Sequence, residues 1–165
     1  MEHKQLLTVF NSLPVGIGFF TADGTLVRCN ESFCRIFGAD SQTLLGNKLN
    51  INENSVVPDV VKEAVRRCVP VQMSFLYDFD KQRTDKRFFS TRTRTCYLKC
   101  NGNPLYDNDG KFVNYIFIFE DITETVKSEE VLRQSRRKTE LAMKAANIMF
   151  WEFDAVAKLF YSDNE

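Results

Sequence analysis

Histidine is nearly absent. His3 is the sole one in 165 residues, and no Cys-x-x-Cys pair is present to stand in for imidazole, so a zinc centre lacks ligands. There is no Gly-x-Ser-x-Gly, no phosphate-cradling Gly-x-Gly-x-x-Gly or Gly-x-x-x-x-Gly-Lys-Ser/Thr, and no His-Glu-x-x-His. With few candidates for a nucleophile, an acid/base pair or a metal in a catalytic arrangement, no catalytic activity is expected of this segment. Net charge is missing too: 22 basic side chains balance 22 acidic ones, so nothing steers the chain toward nucleic acid or an anionic membrane. No apolar run reaches the length of about eighteen residues that a membrane-spanning helix needs, and no direct membrane contact is expected.

The cysteines are odd in number and scattered: Cys29, Cys34, Cys68, Cys96 and Cys100. Cys96 and Cys100 fall on one face of an expected strand, roughly 13 Å apart at about 3.3 Å per residue, too far for a disulfide between them. Small apolar side chains in a reducing, cytoplasmic setting are the simplest reading. What the chain has in quantity is phenylalanine, 15 in all, within a composition that is 44% hydrophobic and 13% aromatic. That suffices for one well-filled core plus an appendage.

Period and punctuation divide the chain. Leu6, Leu7 and Phe10 stand at helical spacing before Pro14, predicting a leading helix over residues 1–13. Val15 to Thr21 and Thr25 to Cys29 flank Ala22-Asp23-Gly24 as a hairpin. Asn30 then caps a short helix carrying Phe33 and Phe37, with Gly38 as its stop. A brief turn through Thr43, Leu44 and Leu45 follows, and Pro58-Asp59 opens a clearer helix to Cys68 with Val61 and Val65 on its apolar stripe. After Pro70 the period becomes two: strands are predicted over Val71 to Phe79, Arg87 to Asn101 and Lys111 to Glu120. On the middle strand Arg92 and Arg94 would make one face basic and solvated. Successive strands should pair antiparallel, with helices over one face, an α+β arrangement.

The Ala22-Asp-Gly24 turn, Asn30-x-x-Phe33-x-x-x-Phe37-Gly38, Leu44-Leu45-Gly46, Pro58 and the closing Glu120-Asp-Ile-Thr123 occur in an order and spacing that resembles a PAS domain, in particular those of bacterial two-component sensor histidine kinases. The resemblance spans residues 14–123. It implies a five-stranded antiparallel sheet in the order 2-1-5-4-3, helices cupping one face around a small cavity, and helices flanking the domain at both ends. It also implies tests for cofactors. Haem-binding relatives use an axial histidine on the long helix, and Asp59 to Cys68 has none; flavin photosensors use an Asn-Cys-Arg-Phe-like motif, which Ser32-Phe-Cys-Arg-Ile36 matches only in part and on the wrong helix. Neither cofactor is expected, which leaves an unknown small molecule held by apolar enclosure, or no ligand. Candidate lining residues are Phe19, Phe33, Phe37, Leu45, Val61, Val65, Phe75, Tyr97 and Phe117, each of which could equally be plain core. By the same resemblance, Asp121 and Thr123 tie the core to an output helix, with Ile122 continuing the inward face of the strand.

That helix is expected over 124–147. A walk at 3.5 residues gives Ser128, Leu132, Ser135, Thr139, Ala142, Ala146 and Met149, a weak seam suited to a homodimer whose pairing can change, or else to a solvated single helix. Beyond it, Met149-Phe-Trp-Glu-Phe153 and Phe160-Tyr-Ser-Asp-Asn164-Glu165 repeat the pattern of Val15 to Phe19 and Leu26 to Glu31, so 148–165 reads as the first hairpin of a second, truncated PAS domain. The expected function is a cytoplasmic sensory module whose output helix leads to downstream modules, a histidine kinase in the first instance. The alternative is a PAS module that senses nothing and serves to dimerise or dock partners.

Overall fold

The computed structural model describes residues 2–82, 90–146, 151–154 and 159–162. Two compact units emerge, Met1–Thr123 and Glu124–Glu165. In the first, the chain order is α1 (Glu2–Ser12), β1 (Gly16–Phe20), β2 (Leu26–Cys29), α2 (Glu31–Phe37), α3 (Ser41–Gly46), α4 (Asp59–Arg67), β3 (Val71–Asp78), α5 (Phe79–Gln82), β4 (Thr95–Tyr106) and β5 (Phe112–Asp121). The strands form one sheet in the order β2-β1-β5-β4-β3, every neighbouring pair antiparallel. The expected architecture is therefore the observed one.

Local chemistry explains the boundaries. Asn30, at φ −93° and ψ 172°, accepts the Phe33 N–H on its side chain and starts α2; Asp40 does the same for α3 through Thr43. Gly38, at φ +64°, ends α2 in the left-handed region, where a Cβ would also collide with Ser90 and Arg92. Pro104 is tolerated inside β4 because β3 pairs only as far as Gly102, so no ladder on that side loses a donor.

The inner face of the sheet presents Phe20, Leu26, Tyr77, Cys96, Leu98, Cys100, Tyr115, Phe117 and Phe119, all buried beneath α2, α3 and α4. Gly102 belongs to this face for a steric reason: a Cβ there would lie 2.4 Å from a Phe117 ring atom and 2.7 Å from one of Tyr115. Both rings lie where the glycine leaves space.

The middle long strand corrects the sequence reading. It begins at Thr95, not Arg87; Arg94 sits at φ +68°, which turns the chain out of extended geometry immediately before the ladder. It also runs past Asn101 to Tyr106, because Gly102 continues the ladder opposite Phe117 instead of ending it. Arg87 to Phe89, placed on that strand from the sequence, lie outside the described residues.

In the second unit, α6 (Thr123–Ala145) runs from the last residue of the first unit. No side chain of α6 is buried among the described residues, and Val131, Leu132 and Leu141 are exposed. Short ion pairs line it, Lys127 with Glu124 and Arg133 with Glu130, each at 2.9 Å. β6 (Trp151–Asp154) and β7 (Leu159–Ser162) pair antiparallel, Trp151 opposite Ser162. The seam residue Met149 lies outside the described residues.

Candidate functional site: a filled cavity and a polar network at the end of the sheet

Between α2, α4 and the inner face of the sheet lies a cavity of about 20 Å³, lined by Phe20, Phe33, Phe37, Val61, Tyr77 and Phe119 among others. That volume is of the order of one water, far below the roughly 300 Å³ of a typical ligand site. Its walls are phenyl rings in contact: Phe33 lies 4.5 Å from Phe37 and 5.8 Å from Phe119, and Phe37 lies 5.2 Å from Phe119, centroid to centroid. One wall, Leu49 to Val57, is not regular structure. It is pinned to the β1–β2 turn, where the side chains of Asn50 and Asn52 both donate to the Asp23 carbonyl and the Ile51 N–H donates to the Gly24 carbonyl.

The residues with polar side-chain groups that border the cavity are Asn50, Asn54 and Tyr77. Tyr77 donates to Gln82 Oε1 and accepts from Asn54 Nδ2 at 3.1 Å, all three residues being buried. Burial pushes the Tyr77 phenol well above its usual range, so it stays a donor at any working pH. Tyr77→Phe should cost about 1–3 kcal/mol, since Gln82 and Asn54 each lose a buried partner. A urea midpoint that falls with unchanged slope checks this; an unchanged midpoint would mean that water replaces the hydroxyl.

Of the nine lining candidates, Phe33, Phe37, Val61 and Phe75 border the cavity. Val65 and Phe117 are fully buried in the same core but do not border it. Phe19, Leu45 and Tyr97 are corrections. Phe19 lies on the outer face of β1 against Phe10 of α1, rings 6.0 Å apart, while Phe20 points inward. Both faces of β1 are apolar because α1 packs on the outer one, so alternation alone does not distinguish them. Leu45 is 37% exposed because the inward position of α3 is Leu44, at 0%. Tyr97 is 40% exposed, since Cys96, Leu98 and Cys100 take the inward parity of β4.

A second cluster sits at the end of β5. Asp121 pairs with Leu98 across the ladder and so continues the inner face, correcting the assignment of Ile122 to that role. Its Oδ1 accepts from the Thr123 hydroxyl at 2.6 Å and from the Thr123 N–H at 3.1 Å, and its Oδ2 meets the Arg92 guanidinium at 2.9 Å. The Thr123 hydroxyl in turn accepts from the Tyr97 N–H at 2.9 Å. Partial burial raises the Asp121 pKa, but the Thr123 hydrogen bonds and Arg92 outweigh it and hold the carboxyl below its usual value.

Arg92 is no solvated strand residue, as the sequence reading had it. Its other guanidinium nitrogen donates to the Ile36 carbonyl at 2.9 Å, in the last turn of α2, and its charge lies 5.1 Å over the Phe79 ring. Sequence reasoning missed this arginine. The signal available was the left-handed Gly38, whose missing Cβ admits the Arg92 side chain. Together these contacts connect α2, which carries Phe33 and Phe37, to the residue that opens α6.

A family model described as PAS fold matches residues 10–127. The chain is similar to the probable diguanylate cyclase DgcE of Escherichia coli (strain K12), 21% identical over 149 residues, covering 90% of this chain and 13% of that protein. Among solved structures it is similar to an RNA-binding light-oxygen-voltage receptor, with TM-score 0.61 at 18% identity over 82% of this chain and 37% of that one. It is also similar to a PAS domain from a two-component sensor histidine kinase, with TM-score 0.54 at 14% identity over 73% of this chain and 96% of that one. At these identities the structural likeness speaks for the fold alone. The chain spans a small part of the curated relative's length.

Proposed function

The chain belongs to the PAS-fold family, and on that premise we propose that it is a cytoplasmic regulatory module that passes a change in its core to an output helix, α6, and through it to a downstream enzyme. The observation that carries this reading is the connected set Ile36, Arg92, Asp121, Thr123 and Tyr97, which ties the cavity-bearing helix to the last strand and to the start of α6. A small change in α2 alters the Ile36 carbonyl, Arg92 follows, and the capping of Thr123 changes. The output enzyme is a histidine kinase by sequence resemblance. A diguanylate cyclase is the second reading, favoured by the similarity to DgcE across nearly the whole chain. The exposed Leu132 on the weak seam of α6 supports a parallel homodimer through flanking helices.

No cofactor is needed for this relay, and the cavity as it stands favours input by partner contact or strain. An unknown small ligand would enter only with displacement of the Leu49 to Val57 wall. The small cavity is likewise what a non-sensing docking module would have, and the output test separates the two.

In the full-length parent, Asp121→Ala, Arg92→Ala and Thr123→Ala should each change the output activity, kinase or cyclase, at least about fivefold, the lower bound of ordinary coupling energies. The isolated domain should remain folded, losing about 1 kcal/mol from a partly exposed pair. Unchanged output with all three variants would remove the relay and leave the docking reading. The pH dependence has a definite sign. Because the folded Asp121 pKa is depressed, its stabilisation is present above the ordinary carboxylate range and is lost as pH falls through the folded value. Asp121→Asn should therefore lower stability near neutrality and flatten the acid limb of the profile, so that variant and wild type converge as pH falls.

A further inference from the structure

Two thiols outside the relay stand close together. Cys29 closes β2 and Cys34 lies in the middle of α2, with sulfur atoms 3.8 Å apart. Both are partly exposed, as is Cys68, whereas Cys96 and Cys100 are buried. The backbone between them is fixed: Asn30 is 1% exposed with both ends of its amide hydrogen-bonded, and the Cys34 N–H donates to the Asn30 carbonyl at 3.2 Å. A disulfide needs sulfurs about 2.05 Å apart, so closure takes under about 2 Å of movement, within reach of a χ1 adjustment at either cysteine. Cys34 also borders a shallow surface groove with Arg35, Asp40, Thr43 and Arg92. An oxidant in that groove would lie beside Cys34, and Arg35 there suits one bearing carboxylates.

We propose that Cys29 and Cys34 form a modification site, a dithiol converted to an intramolecular disulfide by a small carboxylate-bearing disulfide of the glutathione class. The Cys34 thiolate attacks one sulfur of the oxidant, whose S–S bond breaks and releases one thiolate. Cys29, once deprotonated, attacks the Cys34 sulfur of the mixed disulfide and releases the second. The two cysteine protons end on the two released thiols, so one disulfide is reduced as one is formed.

Burial, with the neighbouring Cys34 sulfur, pushes the Cys29 thiol up to about 12. Cys34 is raised too, by burial and by the carboxylates of Asp40 and Glu31, but the Cys29 thiol hydrogen bond acts the other way. Cys34 is thus the attacking thiol, and exchange is slow at neutrality. The bonded disulfide carries no charge, so burial does not oppose the product. Because α2 carries Phe33 and Phe37, the bond would fasten the cavity-bearing helix to β2.

The test needs no variant to begin. Arg28 and Arg35 place both thiols in one tryptic peptide, Cys29 to Arg35. The intact chain is equilibrated with glutathione buffers of increasing disulfide fraction, quenched in acid, unfolded, alkylated and digested. The expected result is that this peptide becomes two hydrogens lighter and unalkylated, while Cys68 forms a mixed disulfide with glutathione and Cys96 and Cys100 remain alkylatable. The rate should rise about tenfold for each unit of pH near neutrality, following the thiolate fraction. Cys29→Ser should trap Cys34 as the glutathione adduct. Full alkylation of Cys29 and Cys34 in buffers that modify Cys68 would overturn the proposal, and so would two separate glutathione adducts on the wild-type peptide.

Discussion

Asn30→Ala should destabilise the domain by about 3–4 kcal/mol, which is as much as a core truncation. The Asn30 side chain is fully used: Oδ1 accepts from the Ile17 N–H at 2.8 Å and the Phe33 N–H at 2.9 Å, while Nδ2 donates to the carbonyls of Phe10 at 3.0 Å and Val15 at 2.9 Å. Loss of the helix cap alone is worth about 1 kcal/mol. Each buried backbone group left without a partner adds about 1–3 kcal/mol before water relieves part of it. A domain holds only about 5–15 kcal/mol in all, so the melting temperature should fall by on the order of 10–20 °C. Asn30→Asp separates the cap from the knot. It keeps an oxygen for Ile17 and Phe33 but turns the other against the Phe10 and Val15 carbonyls. Burial and those carbonyls raise the folded pKa of the new carboxyl, so its penalty is present above that value and fades as pH falls through it. Thermal melts of Asn30→Asp should therefore approach wild type on acidification, whereas Asn30→Ala should stay low throughout. If both variants melt like wild type, Asn30 is a surface cap and no knot.

Asn30 also shows what the sequence discloses and what it withholds. An asparagine before Glu31-Ser-Phe reads as a helix cap, because capping is local and depends on residues within one turn. That the same amide closes the end of α1 and the entry to β1 is a tertiary fact with no local signature. The strand order was legible through a run of separately weak motifs, since turns and caps have fixed chemistry. Parity was legible where only one face of a strand is apolar. It failed at Phe19, where α1 makes both faces apolar, and at Tyr97, where Arg92 and Arg94 were read as the solvated face of a strand whose ladder begins only at Thr95. Arg92 was read as solvated because its partners, Ile36 and Asp121, are remote in sequence and only the fold brings them together.

Phe33→Ala should be the costliest apolar change, about 3–5 kcal/mol, because Phe33 is 1% exposed and touches the rings of Phe20, Phe37 and Phe119 at once. Its removal joins the space of a phenyl ring to the existing cavity, and the walls that remain are mostly apolar. Apolar cavities of that kind stay dry and take small aromatic molecules. Benzene should therefore raise the melting temperature of Phe33→Ala in a concentration-dependent way, as mass action requires, and leave wild type unmoved. Benzene stabilising both proteins alike would mean that the native core already opens to ligands, through the Leu49 to Val57 wall, and that the relay has a chemical input. Benzene stabilising neither would mean that the rings collapse into the gap, in which case the loss should fall to about 3 kcal/mol or less. The contrast matters for function because Phe33 and Ile36 belong to the same helix. A molecule that restores the packing of α2 also restores the Ile36 carbonyl that Arg92 grips, so in the full-length parent carrying Phe33→Ala benzene should move output activity toward wild type. In the Phe33→Ala, Asp121→Ala double variant benzene should restore stability alone, and restored output there would place the coupling path somewhere other than Arg92 and Asp121.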